Sequence, residues 1–146
     1  MIYLDSSALV KRYVEEKGTD FVKSVLAGNG PITTSKLTYP EILSALMRKV
    51  RAGEIERKTF NGIADKFDKD WDHILVLDFH NDLLPMVKTL IEKHPLKAAD
   101  AIHLSSALWL RHSSKADVTF IGSDSNLLKA AGAEKLQVMN PLDESK

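Results

Sequence analysis

Short apolar runs rich in β-branched and aromatic residues alternate along this chain with longer stretches that repeat at the helical period. That alternation restricts the fold more than any other feature. Runs at 2–4, 31–34, 74–77, 118–121 and 136–138 read as strands. Helices are predicted between them over 6–14, 19–26, 38–51, 56–70, 81–93, 98–112 and 126–131. The stretch 38–51 is the clearest, because Ile42, Leu43, Ala45, Leu46 and Val50 fall on one helical face. The turn Gly28-Asn29-Gly30-Pro31 and Gly53 interrupt the helices. Strands that alternate with helices build a parallel sheet covered on both faces. The expected fold class is therefore α/β, with a central parallel sheet of about four to five strands flanked by helices. Helices outnumber strands, so some crossovers should carry two.

The chain has 146 residues and shows no repeat, low-complexity tract or linker. One domain is expected over residues 1–142, with residues 143–146 as a frayed tail. There is no cysteine, which excludes disulfides, thiolate metal ligands and cysteine nucleophiles. The opening Met1-Ile2-Tyr3-Leu4-Asp5 has no basic leader, and the apolar stretches fall short of a membrane span. A soluble, cytoplasmic protein is expected.

Lysine plus arginine equals aspartate plus glutamate at 20 each, for a formal net charge of zero. Proteins that hold nucleic acid by bulk charge carry a basic excess. Here either a local patch holds any polyanion, or the acids are gathered in one place.

Ligands of open parallel sheets bind beyond the carboxyl ends of the strands. Asp5 directly follows the first strand, and Asp124 follows the fourth across Gly122-Ser123. Glu41 and Asp100 lie in the first turns of predicted helices, which start at the same sheet edge. Four acids from distant parts of the chain are thus able to converge on one pocket. Gathered carboxylates repel one another, and a hard divalent cation with oxygen ligands offsets that repulsion. Such a cation activates water and stabilises a phosphate under in-line attack.

Each acid also has a local role open to it. Asp5 and Asp124 are favoured N-cap residues, and Glu41 fits a capping box with Thr38. Asp100 suits the dipole of its helix start. Singly, these roles weigh as much as the chemical one; their shared edge favours chemistry. His103 lies one helical turn after Asp100, where a role in supporting the site or in packing is expected. His73, His80, His94 and His112 are scattered and read as surface residues. Ser6 and Ser7 offer hydroxyls after Asp5, with helix capping the favoured role for Ser7. Arg48, Lys49, Arg51, Arg57 and Lys58 form the best local phosphate-binding patch, with Lys11 and Arg12 as second choice. Trp71 and Trp109 read as packing anchors.

Taken in order, these segments resemble PIN-domain proteins, and among them the toxin subunit of VapBC-type toxin–antitoxin pairs. The resemblance rests on residues 2–11 (IYLDSSALVK), on Tyr39-Pro40-Glu41-Ile42 and on residues 97–103 (KAADAIH). Residues 120–124 (FIGSD), Leu127-Leu128-Lys129-Ala130-Ala131 and Val138-Met139-Asn140-Pro141 complete it. It implies Mg²⁺- or Mn²⁺-dependent endoribonuclease activity on RNA. Asp5 and Asp100 would be direct metal ligands, with Glu41 and Asp124 completing the site directly or through water. Ser6, Ser123, Lys11 and Arg48 are candidates for supporting the site or touching substrate. A homodimer and a small antitoxin covering the acidic pocket, with an inserted arginine, are also implied. Many relatives carry threonine or serine two positions before the last acid, where this chain has Gly122.

Other classes fit less well. A haloacid-dehalogenase-type phosphatase needs a second aspartate where Ser7 stands. A receiver domain needs an acidic pair at the first strand end. The alternative that stays open is a catalytically silent PIN-like module that binds RNA or protein.

Overall fold

Tyr3 and Leu4 are neighbours in sequence and both fully buried, yet they belong to two different cores. This is the period-two signature of a strand covered on both faces. Their strand, β1 (Ile2–Leu4), is the middle of a five-stranded sheet. The others are β2 (Ile32–Ser35), β3 (Leu75–Leu77), β4 (Thr119–Ile121) and β5 (Gln137–Met139), in the order β3-β2-β1-β4-β5. Every pairing is parallel, with Ile2 opposite both Ile32 and Thr119, Thr33 opposite Leu75, and Thr119 opposite Gln137. The structure is a computed structural model that describes residues 1–28 and 30–143. Asn29 of the predicted turn and residues 144–146 of the predicted tail lie outside the described residues.

The helices are α1 (Ser6–Leu9), α2 (Thr19–Leu26), α3 (Thr38–Arg51), α4 (Arg57–Trp71), α5 (Leu84–Lys93), α6 (Ala98–Ser114) and α7 (Ser125–Ala133). The first three crossovers each carry two of them, as the helix excess predicts. One core joins Tyr3 and Phe120 to Leu90, Leu104, Leu108 and Leu127, from α5, α6 and α7. The other joins Leu4 and Ile121 to Leu9, Ile42, Leu46 and Phe67, from α1, α3 and α4. Burying each such side chain contributes roughly 1.5–3 kcal/mol, so the two cores pin the sheet from both sides.

One local expectation changes. The helix expected over 6–14 is one α-helical turn followed by a 3-10 turn at Val10–Arg12. The β-branched and aromatic residues Val10, Tyr13 and Val14 continue an α-helix poorly. Arg12 Nε and the Tyr13 hydroxyl both donate to Asp70 Oδ2, at 2.8 and 2.7 Å, which ties this turn to the end of α4. In β2, Thr33 and Thr34 are buried, with their hydroxyls donated to the carbonyls of Ile2 and Leu4 at 2.8 and 2.6 Å. A strand this polar is tolerated inside because β1 satisfies each hydroxyl.

Candidate active site

β1 delivers Asp5 to the carboxyl edge of the sheet. Its backbone is extended (φ −79°, ψ 177°), and its N–H donates to the Ile121 carbonyl at 3.1 Å, locking it to the end of β4. Asp5 Oδ1 accepts the Ala8 N–H at 2.9 Å, capping α1, and the Ser7 hydroxyl at 2.7 Å. The side chain is 3% exposed. Desolvation pushes its pKa above the usual range, against the lowering effects of His103, the Ser7 hydroxyl and the Ala8 N–H. The predicted capping role of Asp5 is therefore real. It occupies one carboxylate oxygen and leaves Oδ2 without a hydrogen bond among the described residues.

Oδ2 lies against Gly122. A Cβ at that position would stand 2.8 Å from Asp5 Oδ2 and 3.2 Å from Phe120 Cε1. Glycine here is what gives the Asp5 carboxylate its room. The neighbouring Ser123 donates its N–H to Ser7 Oγ at 3.2 Å, while its own hydroxyl is buried with no hydrogen-bond partner in the described structure. Ser7 thus links Asp5 to the β4 end instead of capping a helix.

The expected capping box at α3 does not form. The N-cap of α3 is Leu37, without a side-chain bond, and Thr38 Oγ1 pairs with Thr34 Oγ1 at 2.7 Å. The buried threonine hydroxyls satisfy each other, which leaves Glu41 to bond His103 Nε2 through Oε1 at 2.7 Å. His103 is 1% exposed, and its Nδ1 shares a hydrogen bond of 2.8 Å with the Tyr3 hydroxyl. Tyr3 is stacked on Phe120 (5.3 Å, 16°), and burial, then the Asp5 charge, push its pKa well above the ordinary value.

Asp100 stands half-buried in the first turn of α6. Burial raises its pKa first, then the charges of Asp124 and Asp5; Glu41 adds to the rise and His103 opposes it. Asp124 caps α7 through Oδ1, which accepts the Leu127 N–H at 2.9 Å. The fold thus brings Asp5, Glu41, Asp100 and Asp124 into one electrostatic neighbourhood, and two of them are helix caps as well.

Among the described residues, no three histidine, aspartate or glutamate side chains stand close enough to hold a metal ion as placed. The donor chemistry nevertheless fits a hard divalent cation. It is an all-oxygen set, with a free Asp5 oxygen, an Asp100 whose charge its neighbours disfavour, and an orphaned Ser123 hydroxyl.

A cavity of about 450 Å³ lies between α1 and α3, lined in part by Ser6, Ser7, Glu41, Ser44 and Arg48; of the four acids it takes in Glu41. Arg48 Nη1 donates to Ser44 Oγ at 3.2 Å, and the arginine is otherwise exposed. Lys11 does not line this cavity. It is 6% exposed and its Nζ pairs with Glu16 at 2.9 Å, because the chain folds its stem against Gly18. Arg12 is likewise held, by Asp70. Of the scattered histidines, His73 and His112 are exposed. His94 is instead half-covered and bonded to Glu134 at 2.9 Å, and His80 packs edge-on against Trp109. Trp71 packs against Tyr39 and Phe67.

Tyr3 was not among the site residues expected from sequence. Its signal was a phenol at an inward strand position, where the hydroxyl must find a partner. Ser7 was assigned to the wrong atom, since hydroxyl direction is not written in spacing.

Residues 2–132 match the PIN domain family. Ribonuclease VapC46 of Mycobacterium tuberculosis is 36% identical over 106 residues, covering 73% of each chain. Ribonuclease VapC45 of the same organism is 31% identical over 112 residues, covering 74% of this chain and 75% of that one. A toxin–antitoxin complex from Klebsiella pneumoniae contains a chain of similar fold, with TM-score 0.66 and 14% identity over 97% of this chain and 98% of that one.

Proposed function

Because the chain belongs to the PIN-domain family, we propose that it is a divalent-metal-dependent endoribonuclease acting as the toxin of a toxin–antitoxin pair. The nuclease class is supported by the relatives that bear the name ribonuclease, and the toxin role by the toxin–antitoxin complex of like fold. The observation that supports the metal is the gathering of four acids at one sheet edge, with Asp5 Oδ2 free of hydrogen bonds among the described residues and Asp100 facing the charges of Asp124 and Asp5. Like charges gathered at a sheet edge are a cost unless something positive resides among them.

In this reading Asp5 and Asp100 hold Mg²⁺ or Mn²⁺, and Glu41 and Asp124 complete the set. The bound ion would supply Lewis acidity toward the scissile phosphate and lower the pKa of an attacking water. The chain's own residues do the rest. Ser7 fixes the Asp5 carboxylate, and the Ser123 N–H holds Ser7 in turn. Ser6 and the exposed Arg48 line the cavity beside Glu41, and Arg48 pairs with a neighbouring phosphate of the RNA. The reading extends to a small antitoxin that covers the acidic pocket and to a homodimer, which light scattering showing only monomer at micromolar concentration would remove. No described helix is long and apolar enough to cross a membrane; cytoplasmic residence is part of this proposal.

The test is cleavage of RNA with Mg²⁺ or Mn²⁺ and with EDTA, for wild type and Asp5→Asn. Activity with metal only, lost in the variant, is expected. Cleavage that persists in EDTA yet disappears in Asp5→Asn would overturn the metal assignment.

A further inference from the structure

Two buried polar groups, Tyr3 and His103, and the half-buried Glu41 connect the apolar core to the acid cluster. Tyr3 lies on β1, His103 on α6 and Glu41 on α3, at 2.8 and 2.7 Å. Such a chain is a poor way to gain stability, because apolar residues of like volume would fill the space without needing partners. What a hydrogen-bonded chain does supply is direction.

The direction can be read from the donors. An ionised Glu41 only accepts, so the proton between it and His103 sits on Nε2. With one proton on the ring, at Nε2, Nδ1 is the acceptor in the 2.8 Å pair and the Tyr3 O–H its donor. The Tyr3 phenol is stacked on Phe120 and fully buried. Asp100 stands one helical turn before His103, so α6 presents an acid and the ring to the same edge.

We propose that Tyr3 and His103 are positioning residues for Glu41: the phenol fixes the imidazole tautomer, and the Nε2–H holds Oε1 so that the other carboxylate oxygen is aimed at the acid cluster. This rests on the active-site reading above. Partners behind a ligating side chain typically change metal affinity or activity by roughly 10- to 100-fold when removed.

The experiment uses Tyr3→Phe, which removes one oxygen from the stacked ring, alone and with Glu41→Gln. Ring ¹⁵N spectra of the metal-free protein at pH 8 should show His103 protonated on Nε2 in wild type, and a mixture of tautomers in Tyr3→Phe. With Mn²⁺, Tyr3→Phe should lower kcat about 10-fold with KM for RNA nearly unchanged. It should also weaken Mn²⁺ binding, followed by thermal shift, in wild type but not in Glu41→Gln. Wild-type His103 protonated on Nδ1 would overturn the relay, as would a Tyr3→Phe protein that melts lower but keeps kcat and Mn²⁺ affinity. If wild type cleaves no RNA, the ribonuclease reading fails by itself, and the tautomer and Mn²⁺ measurements still decide the relay.

Discussion

Adding one methyl group at Gly122 tests how tightly Asp5 is held. The Cβ of Gly122→Ala would lie 2.8 Å from Asp5 Oδ2 and 3.1 Å from Cγ, where ordinary contact begins at 3.4 Å. The carboxylate must therefore retreat by about 0.6 Å, the difference between 3.4 and 2.8 Å. It cannot do so freely, because Oδ1 is held by Ser7 and Ala8 and the backbone N–H by Ile121. Overpacking of this kind typically costs about 1–3 kcal/mol. Against it stands a gain of about 0.4–1 kcal/mol, because alanine restricts the unfolded chain more than glycine does. Gly122 is not at positive φ, so no backbone strain is added. The net expectation is a loss of roughly 1–2 kcal/mol, or about 2–4 °C in Tm for each kcal/mol at this size. In an Asp5→Ala background the clashing atoms are gone, and only Phe120 Cε1 at 3.2 Å must give slightly. There the same substitution should be neutral or stabilising. Urea and thermal melts of the four proteins read this sign change as a coupling energy. Equal destabilisation in both backgrounds would refute the reasoning. In the Asp5 background, RNA cleavage should fall together with stability.

Asp100→Asn should raise the Tm of the protein in chelator and shrink the stabilisation that Mn²⁺ gives, while abolishing cleavage. The sign follows from linkage. The folded pKa of Asp100 is raised above the ordinary 3.8, so the charged form destabilises the metal-free fold above that pKa. Metal-free wild type should accordingly gain stability as pH falls through the folded pKa toward 3.8, and Asp100→Asn should lose that part of the pH dependence. A variant less stable in chelator, and still active, would mean that Asp100 serves only its helix start. Arg48→Ala should weaken RNA binding about equally across sequences and reduce the slope of log affinity against log salt by about 1. An unchanged slope would take Arg48 off the RNA path.

The fold was legible because its signals are periodic. The runs at 2–4 and 118–121 place Tyr3 and Phe120 on one face and Leu4 and Ile121 on the other, and a sheet covered on both faces buries both sets. The helix over 38–51 is found with the bounds expected, since its apolar stripe and flanking breakers agree. The four acids were legible too, from their places at strand ends and helix starts. Their partners were not. Whether Glu41 turns to Thr38 or to His103 depends on α6 crossing 62 positions further along the chain, and spacing carries no record of that. Lys11 misled for the same reason. One residue's distance from Asp5 in sequence says nothing of Glu16, which draws the lysine under the loop.

Asp5 uses one oxygen to begin a helix and offers the other to the site, and this shapes how such a toxin can be disarmed by mutation. Replacing Asp5 removes a helix cap worth about 1 kcal/mol together with the activity, so the inactive product is also a poorer fold. Asp100 makes no side-chain hydrogen bond among the described residues and stands among like charges. A population freed from the toxin will therefore drift out of activity through α6 before it touches β1. Its silent descendants will be well-folded proteins with an intact first motif.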